Sequence, residues 1–223
     1  MRGYHQFCPV ARGAEIFAER WTPLIIRELS TGSCTFSDLI HGIPRIPRSL
    51  LSQRLSSLER HGVIDRRPKR EGGHEYVLAP AGEELIPVIQ ALGRWGHKWA
   101  AQNLREEDLD PDLLMWFLRR RIRVDNLPED RIVIEFQLDG RRGRRYWLVL
   151  RRPDVDLCFS DPGFATDLVV TGSTSLLAKV YLGVVPLTEA LRNDELEVAG
   201  RTAHRRAFKD WIGISNFAVA STA

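Results

Sequence analysis

Apolar positions along the first hundred residues recur at the spacing of amphipathic helices. Val10, Ala14, Phe17, Ala18 and Trp21 stand at i, i+4, i+7, i+8 and i+11, which predicts a helix over residues 9–21 opened by Pro9. Pro23 opens a second helix with Leu24, Ile25, Ile26 and Leu29, and Gly32 ends it. A third starts at Thr35-Phe36-Ser37-Asp38-Leu39-Ile40. The breaker cluster Gly42-Ile43-Pro44-Arg45-Ile46-Pro47 separates it from a fourth over about Arg48 to Arg60, closed by Gly62. In the fourth, Leu51, Leu55 and Leu58 make an inward stripe at i, i+4, i+7. The period then changes. Val63-Ile64 and Tyr76-Val77-Leu78 favour strand and flank a charged segment with Gly72-Gly73 as turn signal, which predicts a hairpin. Residues 81–103 predict one long helix with Leu85, Val88, Ile89, Leu92, Trp95 and Trp99 along one stripe and a kink at Pro87.

The charged run from Ala100 to Asp112 predicts a solvated linker. Beyond it, Leu113–Leu118 followed by Arg119-Arg120-Arg121 predicts a short helix whose cations face its own carboxyl-end dipole. Alternation at Ile132, Ile134, Phe136 and Leu138 predicts a strand. A turn at Asp139–Gly143 leads to further strands at Tyr146–Leu150, Val155–Phe159 and Leu168–Thr171, spaced as an antiparallel meander. Ser173 caps a helix carrying Leu176, Leu177, Val180 and Tyr181, and Pro186 opens another. A short strand at Leu196–Val198 precedes a last helix around Arg205–Ile212. Strands first and helices after make this half α+β. Two domains are expected, over 1–104 and 105–223, and 223 residues with 43% hydrophobic content suffice for two cores.

Charge changes the picture of the first domain. From Arg45 to Arg70 there are eight basic side chains against two acids, Glu59 and Asp65, although the whole chain carries only +3. The outward face of the fourth helix bears Arg48, Ser49, Ser52, Gln53, Ser56 and Ser57, short or amide-bearing groups where ordinary solvated faces carry Glu and Lys. Gln can pair with adenine and Arg with guanine in a major groove. A basic hairpin beside such a helix is an electrostatic footprint for phosphate. The α+β chain is therefore expected to carry an N-terminal winged helix-turn-helix that binds double-stranded DNA. Its contacts are expected from Thr35, Arg48, Ser49, Ser52 and Gln53, and from Arg66, Arg67, Lys69, Arg70 and His74 on the wing.

The ordered motifs of this half resemble the HxlR family of winged-helix regulators. They are Cys8-Pro9-Val10, Trp21, Ile25-Ile26-Arg27-Glu28-Leu29, Thr35-Phe36-Ser37-Asp38-Leu39 and Ile46–Leu55. They continue through Leu58-Glu59-Arg60-His61-Gly62-Val63-Ile64 and Tyr76–Gly82. Ile46 and Ala79-Pro80 stand where that family usually has Ser and Thr caps. The resemblance implies a homodimeric repressor or activator, and implies for some members that a cysteine at the Cys8 position senses oxidants. The second half resembles the sterol carrier protein fold. The matching residues are Tyr146–Leu150, Val155–Phe159, Asp167–Thr171 and Tyr181–Leu187 with Ala190-Leu191. That resemblance implies a small apolar ligand, with Trp116, Phe136, Trp147, Leu168, Leu177 and Tyr181 as candidate lining. The same residues would equally fill an ordinary core.

Cys8 precedes a helix whose dipole favours thiolate, so it is a redox candidate, although a free cysteine is more often an inert buried residue. The apolar stripe of residues 81–103 exposes too much surface for a lone helix and predicts a homodimer contact shared with the first helix, packing against the second domain, or both. No catalytic or metal site is expected. The six histidines are scattered, there is no C-x-x-C, and no G-x-S-x-G, P-loop or G-x-G-x-x-G occurs. No cofactor is expected, and no apolar run approaches the ~20 residues of a membrane span. Three spaced cysteines without a signal-peptide pattern fit a cytoplasmic protein. The competing expectation is a lipid- or ligand-binding protein that uses its winged helix as a protein-interaction module.

Overall fold

Most helical spacings of the first half fold as helices and the hairpin folds as a wing, but the helix expected over 9–21 ends at Phe17, and Trp21, with φ 80°, is the N-cap residue of the next helix. The computed structural model describes residues 3–32, 34–69, 72–100, 105–140 and 143–219. The chain divides into two compact units, Met1–Gly93 and Arg94–Ala223, each with its own core. The first unit contains α1 (Pro9–Phe17), α2 (Thr22–Leu29), β1 (Cys34–Thr35), α3 (Phe36–Gly42) and α4 (Arg48–Arg60). It continues with β2 (Ile64–Pro68), β3 (His74–Leu78), α5 (Pro80–Glu83) and the start of α6 (Ile86–Trp99). Ile25, Ile26, Leu39, Leu51, Leu55 and Leu58 are buried together and form its centre.

Helix α4 is fixed at both ends. No side chain caps its N-terminus, where Pro47 is the N-cap residue. Ile46 just before that cap and Leu51 in the second turn instead lie in one core cluster, the arrangement of a hydrophobic staple. A residue that cannot cap the helix thus serves by burial. At the other end Val63 N–H bonds Leu58 O at 2.9 Å and Gly62 N–H bonds Glu59 O at 3.0 Å. This is the Schellman pattern, and Gly62 meets its left-handed requirement with φ 67°. β1, β3 and β2 form a three-stranded antiparallel sheet in that order, with Cys34 opposite Tyr76 and Arg66 opposite Tyr76 on the other side. The two-residue β1 carries too little alternation to be seen in the sequence.

The predicted single helix over 81–103 is two helices. α5 ends at Glu83, a turn follows, and α6 begins at Ile86, so Pro87 sits in a first turn. Inside a continuous helix its ring would oppose the carbonyl of Glu83, whereas in a first turn no N–H is required of it. Residues 101–104 lie outside the described residues.

The second unit holds α7 (Pro111–Arg119), β4 (Ile132–Leu138), β5 (Arg145–Arg151), β6 (Asp154–Cys158) and β7 (Leu168–Gly172). α8 (Thr174–Tyr181), α9 (Leu187–Arg192), β8 (Glu197–Gly200), α10 (Thr202–Trp211) and α11 (Asn216–Val219) follow. The sheet order is β6-β5-β4-β7-β8. Only β4, β5 and β6 form the expected meander. β7 crosses back and pairs parallel with β4, with Ile134 opposite Leu168 and Phe136 opposite Val170. The cause is visible in burial. Ile132, Val133, Ile134 and Phe136 are all at most 2% exposed, and Glu135 on the Val133 face is also buried, so β4 is covered on both faces and belongs in the sheet centre. β6 exposes Asp154 and Asp156, which suits an edge.

Two carboxylates tie helices to this sheet. Tyr146 O–H donates to Asp112 Oδ1 at 2.6 Å, and Arg144 pairs with the other oxygen. Burial, reinforced by that carboxylate, pushes the Tyr146 phenol above its ordinary range. Asp139 Oδ1 accepts from the backbone N–H of Thr174 at 2.8 Å at the start of α8, where Ser173 Oγ caps Leu176 N–H at 3.1 Å.

Candidate nucleic-acid interface

Burying Leu51, Leu55 and Leu58 leaves the opposite side of α4 to solvent. Arg48, Ser49, Ser52, Gln53 and Ser56 are all exposed. Pro47, Ser49, Leu50, Ser52, Gln53 and Ser56 line a broad open concavity of about 620 Å³ along this face. A second, of about 460 Å³, continues along the flank past Gln53, Arg54, Ser57, Arg60 and His61. The first residue bearing a carboxylate on α4 is Glu59, near its end. A row of hydroxyls, an amide and a guanidinium can donate to phosphate and to base edges, and nothing in the first three turns repels an anion.

The orientation of that face is set from behind. Arg54 Nη2 bonds Glu19 Oε2 at 2.6 Å, joining α4 to the connection between α1 and α2, with the two side chains 16% and 26% exposed. Thirty-five residues separate the partners, so the sequence pattern gives no sign of the pair. Arg54 is thereby engaged within the fold and is less available to a ligand than its neighbours.

Thr35 stands at the start of α3 and closes a capping box. Its hydroxyl donates to Asp38 Oδ2 at 2.6 Å and accepts from Asp38 N–H at 3.2 Å. The role visible for this predicted contact residue is therefore the cap. α3 is closed at its other end by charge. Arg27 Nη2 reaches Gly42 O at 2.8 Å and Glu28 Oε1 at 2.9 Å, and Glu28 is fully buried.

On the wing, register separates the predicted cations. Arg66 is opposite Tyr76 and Pro68 opposite His74, so Arg66 and His74 share one face. Their side chains meet, Arg66 Nη2 to His74 Nδ1 at 3.1 Å. Arg67 projects to the other face, opposite Glu75 and 3.5 Å from Asp65. That exposed pair is worth little energetically but offsets part of the positive field on its side. Lys69 is exposed at the strand end, where its N–H bonds Gly73 O at 3.2 Å. Arg70 lies outside the described residues. The wing thus carries cations on both faces rather than one basic side.

Residues 16–104 match the HxlR-like helix-turn-helix family. The uncharacterized HTH-type transcriptional regulator YvaP of Bacillus subtilis is 32% identical over 97 residues, covering 42% of this chain and 90% of YvaP. The chain belongs to the HxlR-like helix-turn-helix family. Rv3095 of Mycobacterium tuberculosis, also named an uncharacterized HTH-type transcriptional regulator, is 40% identical over 92 residues, covering 40% of this chain and 58% of Rv3095. Among solved structures, the reduced form of the transcriptional regulator YodB from B. subtilis is 27% identical, covers 44% of this chain and 100% of YodB, and superposes with a TM-score of 0.38. The family match begins inside α1 and takes in α4 and the wing.

The remaining candidates lie elsewhere. Cys8 is the N-cap residue of α1, half-buried, and makes no side-chain capping bond. In the second unit Phe136, Leu168 and Leu177 lie in the main core, with Tyr181 packed at its edge and stacked on Phe117 at 6.1 Å between ring centres. Trp147 is opposite Glu135, one step out of phase with Phe136, and so faces the other side of the sheet. Trp116 is buried under the guanidinium groups of Arg119 and Arg120, at 4.4 and 4.9 Å from its ring centre. The six predicted lining residues therefore do not converge on one side of the sheet. Among the described residues no cluster of His, Cys, Asp and Glu is arranged to hold a metal ion. No helix among them is long and apolar enough to cross a membrane.

Proposed function

We propose that this protein is a DNA-binding transcriptional regulator that lays α4 in the major groove and rests its wing on flanking phosphates. The observation that carries this reading is the exposed row Arg48, Ser49, Ser52 and Gln53, held rigid by the buried leucines behind it. The named function of its relatives, transcriptional regulation, supports the same conclusion. Arg48 and Gln53 read base edges or adjacent phosphates, while Arg66, Lys69, Arg70 and His74 supply phosphate contacts, with Arg67 weaker because of Asp65. Replacing Gln53 by Ala is expected to cost about 1–3 kcal/mol on a selected duplex, confined to one base pair per half-site. An equal loss on every sequence would remove Gln53 from base reading.

The active species in this proposal is a cytoplasmic homodimer. Phe7 and Val10 at the start of the chain, and Leu92, Trp95 and Trp99 on α6, are exposed by 49% or more. Apolar surface of that extent suits a second copy of the chain. Twofold symmetry would set the two α4 helices about 34 Å apart and call for an inverted-repeat operator. The second unit, with its five-stranded sheet and a core shared with α7, α8 and α10, supports a sterol-carrier-like reading in which a small apolar ligand modulates DNA binding. Phe136, Leu168, Leu177 and Tyr181 are the lining candidates on the core side of the sheet. Native mass spectrometry of the purified chain is expected to show the dimer mass with an apolar adduct. A bare monomer at micromolar concentration would contradict both parts.

A further inference from the structure

Leu50 is an apolar residue on the reading face whose chemistry the proposed function does not use. It is the third residue of α4, half-buried, directly before the buried Leu51. Part of its side chain packs against the core cluster of the first unit, whose α4 stripe is formed by Leu51, Leu55 and Leu58 at i, i+4, i+7, and the rest is left to solvent. One position earlier means about 100° of rotation, which places Leu50 on the flank of the exposed face. There it lines the 620 Å³ concavity with Ser49, Ser52, Gln53 and Ser56. Apart from Pro47, it is the only apolar side chain in a wall of hydroxyls and an amide.

A major groove presents one apolar group, the 5-methyl of thymine, alongside its hydrogen-bonding edges. The amino-terminal residues of a helix docked in that groove are those that reach the bases. Leu50 sits in that first turn, three residues before Gln53. Side chains at that spacing lie about 5–6 Å apart on a helix, which corresponds to one or two base-pair steps of about 3.4 Å. We propose that Leu50 is a specificity-determining residue that packs on the 5-methyl group of a thymine, one or two base pairs from the base paired by Gln53. The inference rests on the DNA-reading function proposed above and adds a sequence preference to it.

The test removes the methyl group from the DNA. The full-length protein selects duplexes from a random-sequence pool. Each thymine of the enriched duplex is then replaced singly by deoxyuridine, which pairs identically but lacks the methyl group. One position per half-site is expected to lose about three- to tenfold in affinity, the scale of one buried methyl group. Leu50→Ala, checked for its helical circular dichroism, is expected to bind thymine and uracil duplexes equally at that position, while Leu50→Met keeps the discrimination. Wild-type affinity unchanged at every uracil position would overturn the inference and leave DNA reading intact, as would discrimination that survives in Leu50→Ala. A pool in which no sequence is enriched would overturn base reading and the Leu50 contact together.

Discussion

Replacing Gly42 by Ala is expected to destabilise the first unit by about 3 kcal/mol or more, the upper range for overpacking a rigid site. A Cβ at this position would stand 1.9 Å from Glu28 Oε2, 2.1 Å from its Cδ and 2.7 Å from its Cγ. A carboxylate at a surface would swing aside at small cost, but this one cannot. Glu28 is fully buried and ion-paired with Arg27, and Arg27 also holds Gly42 O. Moving Glu28 breaks that junction of α2 with the end of α3 and leaves a buried charge short of its partner. The loss corresponds to roughly 12 °C or more in the unfolding midpoint of a unit this size. Gly13→Ala is the control, because a Cβ there meets nothing within 4 Å. In mid-helix that change should be neutral or stabilising by up to about 1 kcal/mol. Calorimetric midpoints for Gly42→Ala and Gly13→Ala that coincide would show that the Arg27–Glu28–Gly42 junction does not hold α3.

Much of the first unit was legible because its signals are local. The leucine spacing of α4, the proline that opens α1 and the Gly72-Gly73 turn each determine an element from within a few residues. The break between α5 and α6 was signalled by Pro87, but a proline at the seventh position of an amphipathic stretch is compatible with either a kink or a restart. The choice depends on what the neighbouring turn packs against. In the second unit, alternation identified β7 as a strand without naming its partner. Only Val133 hinted that the second face of β4 is buried as well, because Glu135 and Gln137 beside it read as a solvent face until the fold covers them.

The candidate interface was legible as a composition and less so as a geometry. The serines and Gln53 of α4 stood out because carboxylates are absent around them. Leu50 did not, because beside Leu51 it looks like part of the same stripe. The division of Arg66 from Arg67 between the two wing faces depends on strand register. So does the placement of Trp147 on the opposite side of the sheet from Phe136. The Arg54–Glu19 pair joins residues that only the tertiary fold brings together.

The second large effect is expected in ionic strength. Arg48 on α4 and Arg66 and Lys69 on the wing are exposed cations, with Arg67 partly compensated by Asp65. Each cation that settles on a phosphate releases condensed counterions, so affinity falls as a power of salt concentration. Two copies, each contributing roughly three such contacts, reach the range where affinity drops by about 10³ between about 50 and 200 mM salt. The most direct measurement is a fluorescence-anisotropy titration of a labelled duplex of arbitrary sequence with the full-length protein at those two concentrations. Binding at the lower salt that is lost about a thousandfold at the higher is the predicted result. No binding at low salt, or binding indifferent to salt, would contradict a DNA-contacting role for the exposed face of α4 and its wing.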